Sequence, residues 1–228
     1  QAEELDPLEV KLGAPAKRRA RGLQRVSPSG LEGGTHVRLS DQRSDGGGDR
    51  AVAMARGTLM HAWFEQISWL DSGPPSDDQL RAVAARLPDV NVAPEDVAGL
   101  LADFHAMLDR PHVAGCLRRE AYQEFAPARI QVETERPIAV RDGDRLLVGN
   151  IDRLVTIYDG DRPIAADILD FKTDSIPPGD EKVVAKKVKF YGPQIVAYRS
   201  AVGSIFRLDS SQMSAKLLFV DAGIVEEL

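Results

Sequence analysis

Apolar residues recur at three- and four-residue steps from Met54 onward. Leu59, Trp63, Ile67 and Leu70 make one stripe, the pattern of an amphipathic helix, which Asp71-Ser72-Gly73-Pro74-Pro75 ends. Two further helices are expected over 77–87 and 94–109, the second with Val97, Leu100, Leu101, Phe104 and Leu108 on its inner face. From about Cys116 the period shortens toward two. Strands are expected over 120–125, 130–140, 146–157 and 164–172, with turns at Arg141-Asp142-Gly143-Asp144 and Asp159-Gly160-Asp161. Pro177-Pro178-Gly179 breaks the pattern, and helical sequence resumes over 180–189 and 193–202. Pro193 suits a first helical turn better than a helix interior, so a break or kink is expected near Gly192. A last strand is expected over 215–222.

This order of elements predicts an α/β (α+β) fold: a mixed central sheet flanked by helices, with an N-terminal helical subregion. No internal repeat occurs. Residues 1–50 hold Pro7, Pro15, Pro28, Gly33-Gly34 and Gly46-Gly47-Gly48 and little apolar periodicity, so they read as an irregular linker with local order near 27–31. The expected division is a linker over 1–50 and one domain over 51–228, with a helical part at 51–115 and a core at 116–228.

Composition narrows the function classes. At 43% apolar and 28% charged residues, the 228-residue chain is ordinary for a soluble globular protein. It contains no apolar run long enough for a membrane helix. No secretory signal is visible, so the cytoplasm is the expected compartment, and a first residue of Gln1 suggests a fragment of a longer parent. A single cysteine, Cys116, excludes a disulfide scaffold, a zinc knuckle and a cysteine-ligated iron–sulfur cluster. A metal here must be held by carboxylates and histidines. The net charge is -6, yet residues 71–110 hold eight Asp/Glu against three Arg, so the rest is nearly balanced. Two basic islands, Lys17-Arg18-Arg19-Ala20-Arg21 continuing to Arg25, and the four lysines of 182–189, read as solvated faces or as a phosphate-backbone groove.

The informative stretch is Gly149-Asn150-Ile151-Asp152-Arg153-Leu154, followed by Asp170-Phe171-Lys172-Thr173-Asp174. On a strand Asp170 and Lys172 share a face while Phe171 points to the core. With Asp152 on a second strand, such carboxylates can hold a hard divalent cation through oxygen, leaving the lysine to position or activate water. The same residues also read as a surface Asp–Lys pair beside a turn aspartate. His61, early in the first convincing helix with Glu65 one turn on, is a structural histidine or a ligand completing a carboxylate site, where it would favour manganese somewhat. His36, His105 and His112 read as surface or structural. In Tyr191-Gly192-Pro193-Gln194-Ile195-Val196-Ala197-Tyr198, Gln194 and Tyr198 share a helix face; they suit phosphate or lysine contacts, or an ordinary amphipathic helix.

Taken in order, G-x-x-x-H at 57–61, G-x-I-D-R at 149–153, D-F-K-T-D at 170–174 and Y-x-x-Q-x-x-x-Y at 191–198 resemble the RecB-type nuclease domain of the PD-(D/E)xK phosphodiesterase superfamily. The likeness spans roughly residues 51–222, and the linker with Ser27-Pro28-Ser29 resembles the approach to this domain in AddA helicase–nuclease subunits. The resemblance implies a restriction-endonuclease-like core and a Mg²⁺- or Mn²⁺-dependent DNase. It implies His61, Asp152, Asp170 and the Phe171 carbonyl as metal ligands. It implies Lys172 as the catalytic lysine, with Gln194 and Tyr198 supporting the site and Tyr191 a weaker candidate. Glu135 would be an outer group of the site or a solvated strand carboxylate. The implied partners are single-stranded DNA ends, helicase domains of the same chain and an AddB-like subunit, in double-strand-break processing. No G-x-x-x-x-G-K-[ST] loop occurs, so ATP binding would belong to the parent rather than to these residues. Two rivals remain: a non-cleaving DNA-binding or subunit-docking module, and a free-standing nuclease with another nucleic-acid substrate.

Overall fold

The structure is a computed structural model that describes residues 23–34, 47–87 and 94–228. The elements are β1 (Gln24–Val26), α1 (Gly47–Phe64), α2 (Asp77–Ala84), α3 (Pro94–Leu108), α4 (Pro111–Cys116), β2 (Arg129–Asp142), β3 (Arg145–Asp159), β4 (Arg162–Lys172), α5 (Glu181–Phe206), β5 (Met213–Phe219) and β6 (Ile224–Glu227). Six strands form one mixed sheet: β2–β3, β3–β4 and β5–β6 pair antiparallel, while β1–β3 and β4–β5 pair parallel. The mixed sheet with flanking helices and an N-terminal helical part is the expected architecture.

Strand β3 organises the sheet. One edge carries β2 along almost its whole length. The other edge is shared: Arg145–Leu147 pair with β1 and Arg153–Asp159 with β4. Among the described residues, 148–152 have no strand partner on that edge, because β4 peels away from β3 beyond the Arg153↔Leu169 pair and continues alongside β5 to the Lys172↔Phe219 pair. The fork so formed contains Asp152.

Two apolar clusters lie on the two faces of the sheet. One packs Leu59, Met60, Trp63 and Phe64 of α1, with α2–α4, against Val155, Ile157, Leu169 and Phe171. The other packs Ile195, Tyr198, Ala201 and Val202 of α5 against Leu154, Ala166, Ile168 and Leu217. Alternation along β4 therefore sends Leu169 and Phe171 toward α1, and the chain folds because each face finds a helix.

Several local expectations are corrected. Residues 120–125 are not a strand but part of a 3-10 segment, Arg119–Phe125, in which the buried Tyr122 donates to Asp167 Oδ2 at 2.9 Å. Helix α4 adds to the expected elements, with Pro111 in its first turn. Helix α5 runs unbroken through Pro193, because the residues on both sides of it pack on the sheet and site. The last strand stops at Phe219 rather than Ala222. The chain reverses through Gly223 (φ +70°), a conformation glycine takes without steric cost, and returns as β6. Helix α1 ends at Phe64, yet Ile67 and Leu70 stay buried in the turns that follow. Gln24–Val26 and Ser29–Gly34, within the stretch read as a linker, are built into the fold. His36 and most of the first basic island lie outside the described residues.

Arg153 ties the helical part to the sheet. Its fully buried guanidinium donates from Nη1 to Ile67 O (2.7 Å) and from Nη2 to Ser68 O (2.6 Å), and lies over the Trp69 ring. These carbonyls belong to the reversal just after α1, so one residue fixes the end of the helix carrying His61 to the strand carrying Asp152. Burial lowers the guanidinium pKa from its usual value, offset in part by Tyr122 and Asp167. Arg153→Ala leaves two inward carbonyls without donors and a void. Chemical denaturation should show a loss of about 3 kcal/mol; a loss near zero would contradict this role.

Candidate metal and phosphodiester site

The site occupies the β3–β4 fork and draws on four elements. Asp152 Oδ2 accepts from Phe171 N at 2.7 Å, taking the place a β3 carbonyl would hold had the ladder continued. His61, on α1, presents Nδ1 at 3.4 Å from the same carboxylate oxygen. Its ring also meets the edge of Phe171, which stacks on Phe64 with centroids 4.5 Å apart. The aromatic stack thus fixes the approach of α1 to the end of β4. Gly57 allows that closeness, since a Cβ there would lie 3.2 Å from Thr173 Oγ1. The N–H and C=O of one strand residue project to the same edge, so the Phe171 carbonyl faces the fork alongside its N–H.

Asp170 and Lys172 share a face, as alternation requires. Asp170 is 1% exposed, and its Oδ2 lies 2.7 Å from Lys172 Nζ. Lys172 Nζ donates to Gln194 Oε1 (2.9 Å), Gln194 Nε2 to Tyr198 Oη (3.3 Å), and Tyr198 Oη to Asn150 O (2.5 Å). The chain of donors runs from β4 through α5 back to β3, two residues from Asp152. The lysine also sits 4.2 Å from the centre of the Tyr191 ring, and the Tyr191 hydroxyl donates to Asp174 Oδ2 at 2.8 Å. Lys187 pairs with the other oxygen of Asp174.

Glu135, which the sequence left undecided, is brought into the site. It stands across from Asp152 on β2, between the Thr134↔Arg153 and Arg136↔Ile151 pairs. Its φ is +47°, a left-handed conformation costing a non-glycine residue about 1–2 kcal/mol. Ligand atoms of His61, Glu135 and Asp152 all lie within 4.8 Å of one another. Asn150 Nδ2 donates to Glu135 Oε2 at 3.2 Å. Like charges directly opposite across strands repel, so this pairing is suited to a cation between them. Asn150 and Asp174 stand within the sequence motifs but carry no expected role there; Glu32, 3.8 Å from Lys172 Nζ, is reached only through the fold. Elsewhere, His105 pairs with Asp77 and His112 is exposed.

The electrostatics follow from crowding charge in a partly buried fork. Burial, then the Asp152 charge, raises the Asp170 pKa against the pull of Lys172. Burial and Asp152 likewise raise Glu135. Burial alone would lower His61, but Asp152 and Asp170 outweigh it and raise it. Burial also opposes the charge on Lys172, but Asp170, Asp152 and Glu32 raise its pKa and keep it an ammonium. The residues fit a divalent cation. They offer the carboxylate oxygens of Glu135 and Asp152 and the His61 imidazole within 4.8 Å of one another, with the buried Asp170 carboxylate, paired to Lys172, on the neighbouring strand, and more anionic than cationic groups. Two cavities, of ≈ 700 and ≈ 780 Å³, flank His61 and share Met54 and Gly57 in their walls. A smaller cavity of ≈ 400 Å³ over Asp167, Tyr122 and Lys216 lies apart from the fork. Asp167 there is satisfied by Tyr122, Ser214 and Lys216.

The fork thus gathers an Asp, an Asp-x-Lys and a helical His on a mixed sheet with α-helices on both faces. The family model of the PD-(D/E)XK nuclease superfamily matches residues 35–228, and the chain belongs to that superfamily. No curated protein matches the sequence. Among the described residues no helix is long and apolar enough to cross a membrane.

The raised groups at the fork set a pH dependence. Asp170, Glu135 and His61 each keep a proton to higher pH than the free side chain, and a bound cation must displace it. Affinity for Mn²⁺ should therefore tighten as pH rises from about 6 to 8, with proton release visible by calorimetry in two buffers. An affinity flat over that range would contradict the assignment of these groups.

Proposed function

We propose that the chain is a divalent-metal-dependent deoxyribonuclease that hydrolyses phosphodiester bonds by direct attack of water, without a covalent intermediate. The observation that carries this is the Lys172 ammonium, held 2.7 Å from Asp170 and 2.9 Å from Gln194 beside the carboxylates of the fork. His61, Asp152, Asp170 and the Phe171 carbonyl would hold Mg²⁺ or Mn²⁺, with Glu135 on the β2 side. The bound ion would supply Lewis-acid polarisation of the phosphate and acidify water.

The protein's own groups do the rest. Lys172 places positive charge where negative charge grows at phosphorus, in a site where burial strengthens that interaction. Gln194 and Tyr198 fix the ammonium by a chain of donors that ends on a backbone carbonyl. Tyr191 covers it from the side and is itself held by Asp174. Asp152 spends one oxygen on Phe171 N, which orients the carboxylate without discharging it.

The narrower reading is the C-terminal nuclease part of an AddA/RecB-like helicase–nuclease acting on single-stranded DNA ends during double-strand-break repair. The helicase domains would lie in the same parent chain, with an AddB-like partner. Its support is the order of the four motifs and the solitary cysteine, which cannot ligate an iron–sulfur cluster. The described groups of the fork are carboxylates, an ammonium and an imidazole, which meet metal and phosphate rather than base edges, and this suits a substrate chosen by its end or strandedness.

End-labelled single-stranded DNA incubated with Mg²⁺ or Mn²⁺ should be degraded. Asp170→Asn and Lys172→Ala should each slow cutting by about 10²–10³-fold. Variants that cut like the wild type would contradict these roles, and a wild type that binds metal and DNA but never cuts would favour the docking-module reading.

A further inference from the structure

The segment Ser29–Gly34, which precedes the residues matched by the family model, brings an additional acidic group to Lys172. Glu32 Oε1 lies 3.8 Å from Lys172 Nζ, on an ammonium already met by Asp170, Gln194 and the Tyr191 ring. Its side chain is half-buried and lines the larger of the two cavities flanking His61.

Three anchors hold the segment there. β1 pairs with β3 through Gln24↔Arg145 to Val26↔Leu147. Pro28 packs so closely on Gly149 that a Cβ at Gly149 would lie 2.6 Å from Pro28 Cδ. Gly33, at φ +72°, lies against the Phe190 ring of α5, where a Cβ would come within 3.0 Å. The segment is therefore fixed to β3 and α5, the elements that supply Asp152 and Gln194.

We infer that Glu32 is a positioning residue for Lys172 and that residues 24–34 are a strap completing the site. The inference rests on the nuclease reading for its consequence, but not for the contact. Asp170 is both the nearest anion to Lys172 and a candidate metal ligand. Once its charge is shared with a cation, its hold on the ammonium weakens. Glu32 reaches the ammonium from the strap rather than from β4, and it keeps the lysine paired when Asp170 is committed to metal. The glycine of the G-x-I-D-R motif acquires a reason of its own: it is the seat of Pro28.

The test uses the full chain in two arms. Zero-length carbodiimide coupling should join Glu32 to Lys172, read by mass spectrometry of the digested protein, and Glu32→Gln should abolish that cross-link. In the DNA-cutting assay Glu32→Gln should lower kcat about ten-fold, leaving KM for DNA and the Mn²⁺ half-saturation at wild-type values, with Glu32→Asp partly restored. Gly149→Ala, which displaces Pro28, should give the same kinetic signature. A folded chain with no Glu32–Lys172 cross-link, or a Glu32→Gln variant with wild-type kcat, overturns the inference. A chain that forms the cross-link yet cuts no DNA upholds the strap contact and counts against the nuclease reading instead.

Discussion

The hydrogen bond from Phe171 N to Asp152 Oδ2, at 2.7 Å, is the constraint on which the rest of the site depends. Where two antiparallel strands separate, the freed N–H groups need acceptors, since an unpaired buried donor costs about as much as a lost hydrogen bond. Asp152 supplies the acceptor from a side chain. β4 can thereby leave β3 after Leu169 and run on beside β5, opening a wedge lined by carboxylates. A backbone carbonyl in that position would have continued the sheet and left no room for chemistry.

The wedge is then closed from both faces by helices that arrive for ordinary packing reasons. α1 is drawn in by Leu59, Met60, Trp63 and Phe64, and its His61 comes with it. α5 is drawn in by Ile195, Tyr198, Ala201 and Val202, and Gln194 comes with it. Arg153 and the Phe64–Phe171 stack set the spacing on one side. The Lys172–Gln194–Tyr198–Asn150 chain sets it on the other. Core and site are one construction: the apolar stripe of each helix is the device that aims its polar residue. The electrostatic cost of gathering Asp152, Asp170 and Glu135 in one place is offset only partly by Lys172 and His61. That imbalance is what a divalent cation would relieve.

Much of this was legible in the sequence because it depends on short periods. Alternation over 164–172 placed Asp170 and Lys172 on one face, and the three–four spacing around Trp63 placed α1. What escaped depends on contacts between distant segments. Tyr122 sits in a 3-10 turn because its hydroxyl reaches Asp167, an attraction that no local pattern announces. Pro193 continues a helix because packing on either side of it outweighs the lost hydrogen bond. Glu135 joins the site through a left-handed backbone that its neighbours in sequence do not signal, and Glu32 arrives from a proline- and glycine-rich stretch that reads as linker. In each case a local rule is overruled by a tertiary contact that satisfies a buried polar group or apolar face.

A divalent cation at the strand fork, held around Asp152 and the buried Asp170, is what the site requires above all. An anomalous difference map from crystals soaked in Mn²⁺ tests it most directly. A peak is expected in the fork within bonding distance of His61, Asp152 and Asp170, with its loss in Asp170→Asn. Well-ordered crystals with the fork empty at saturating Mn²⁺, or a peak held elsewhere on the molecule, would contradict it.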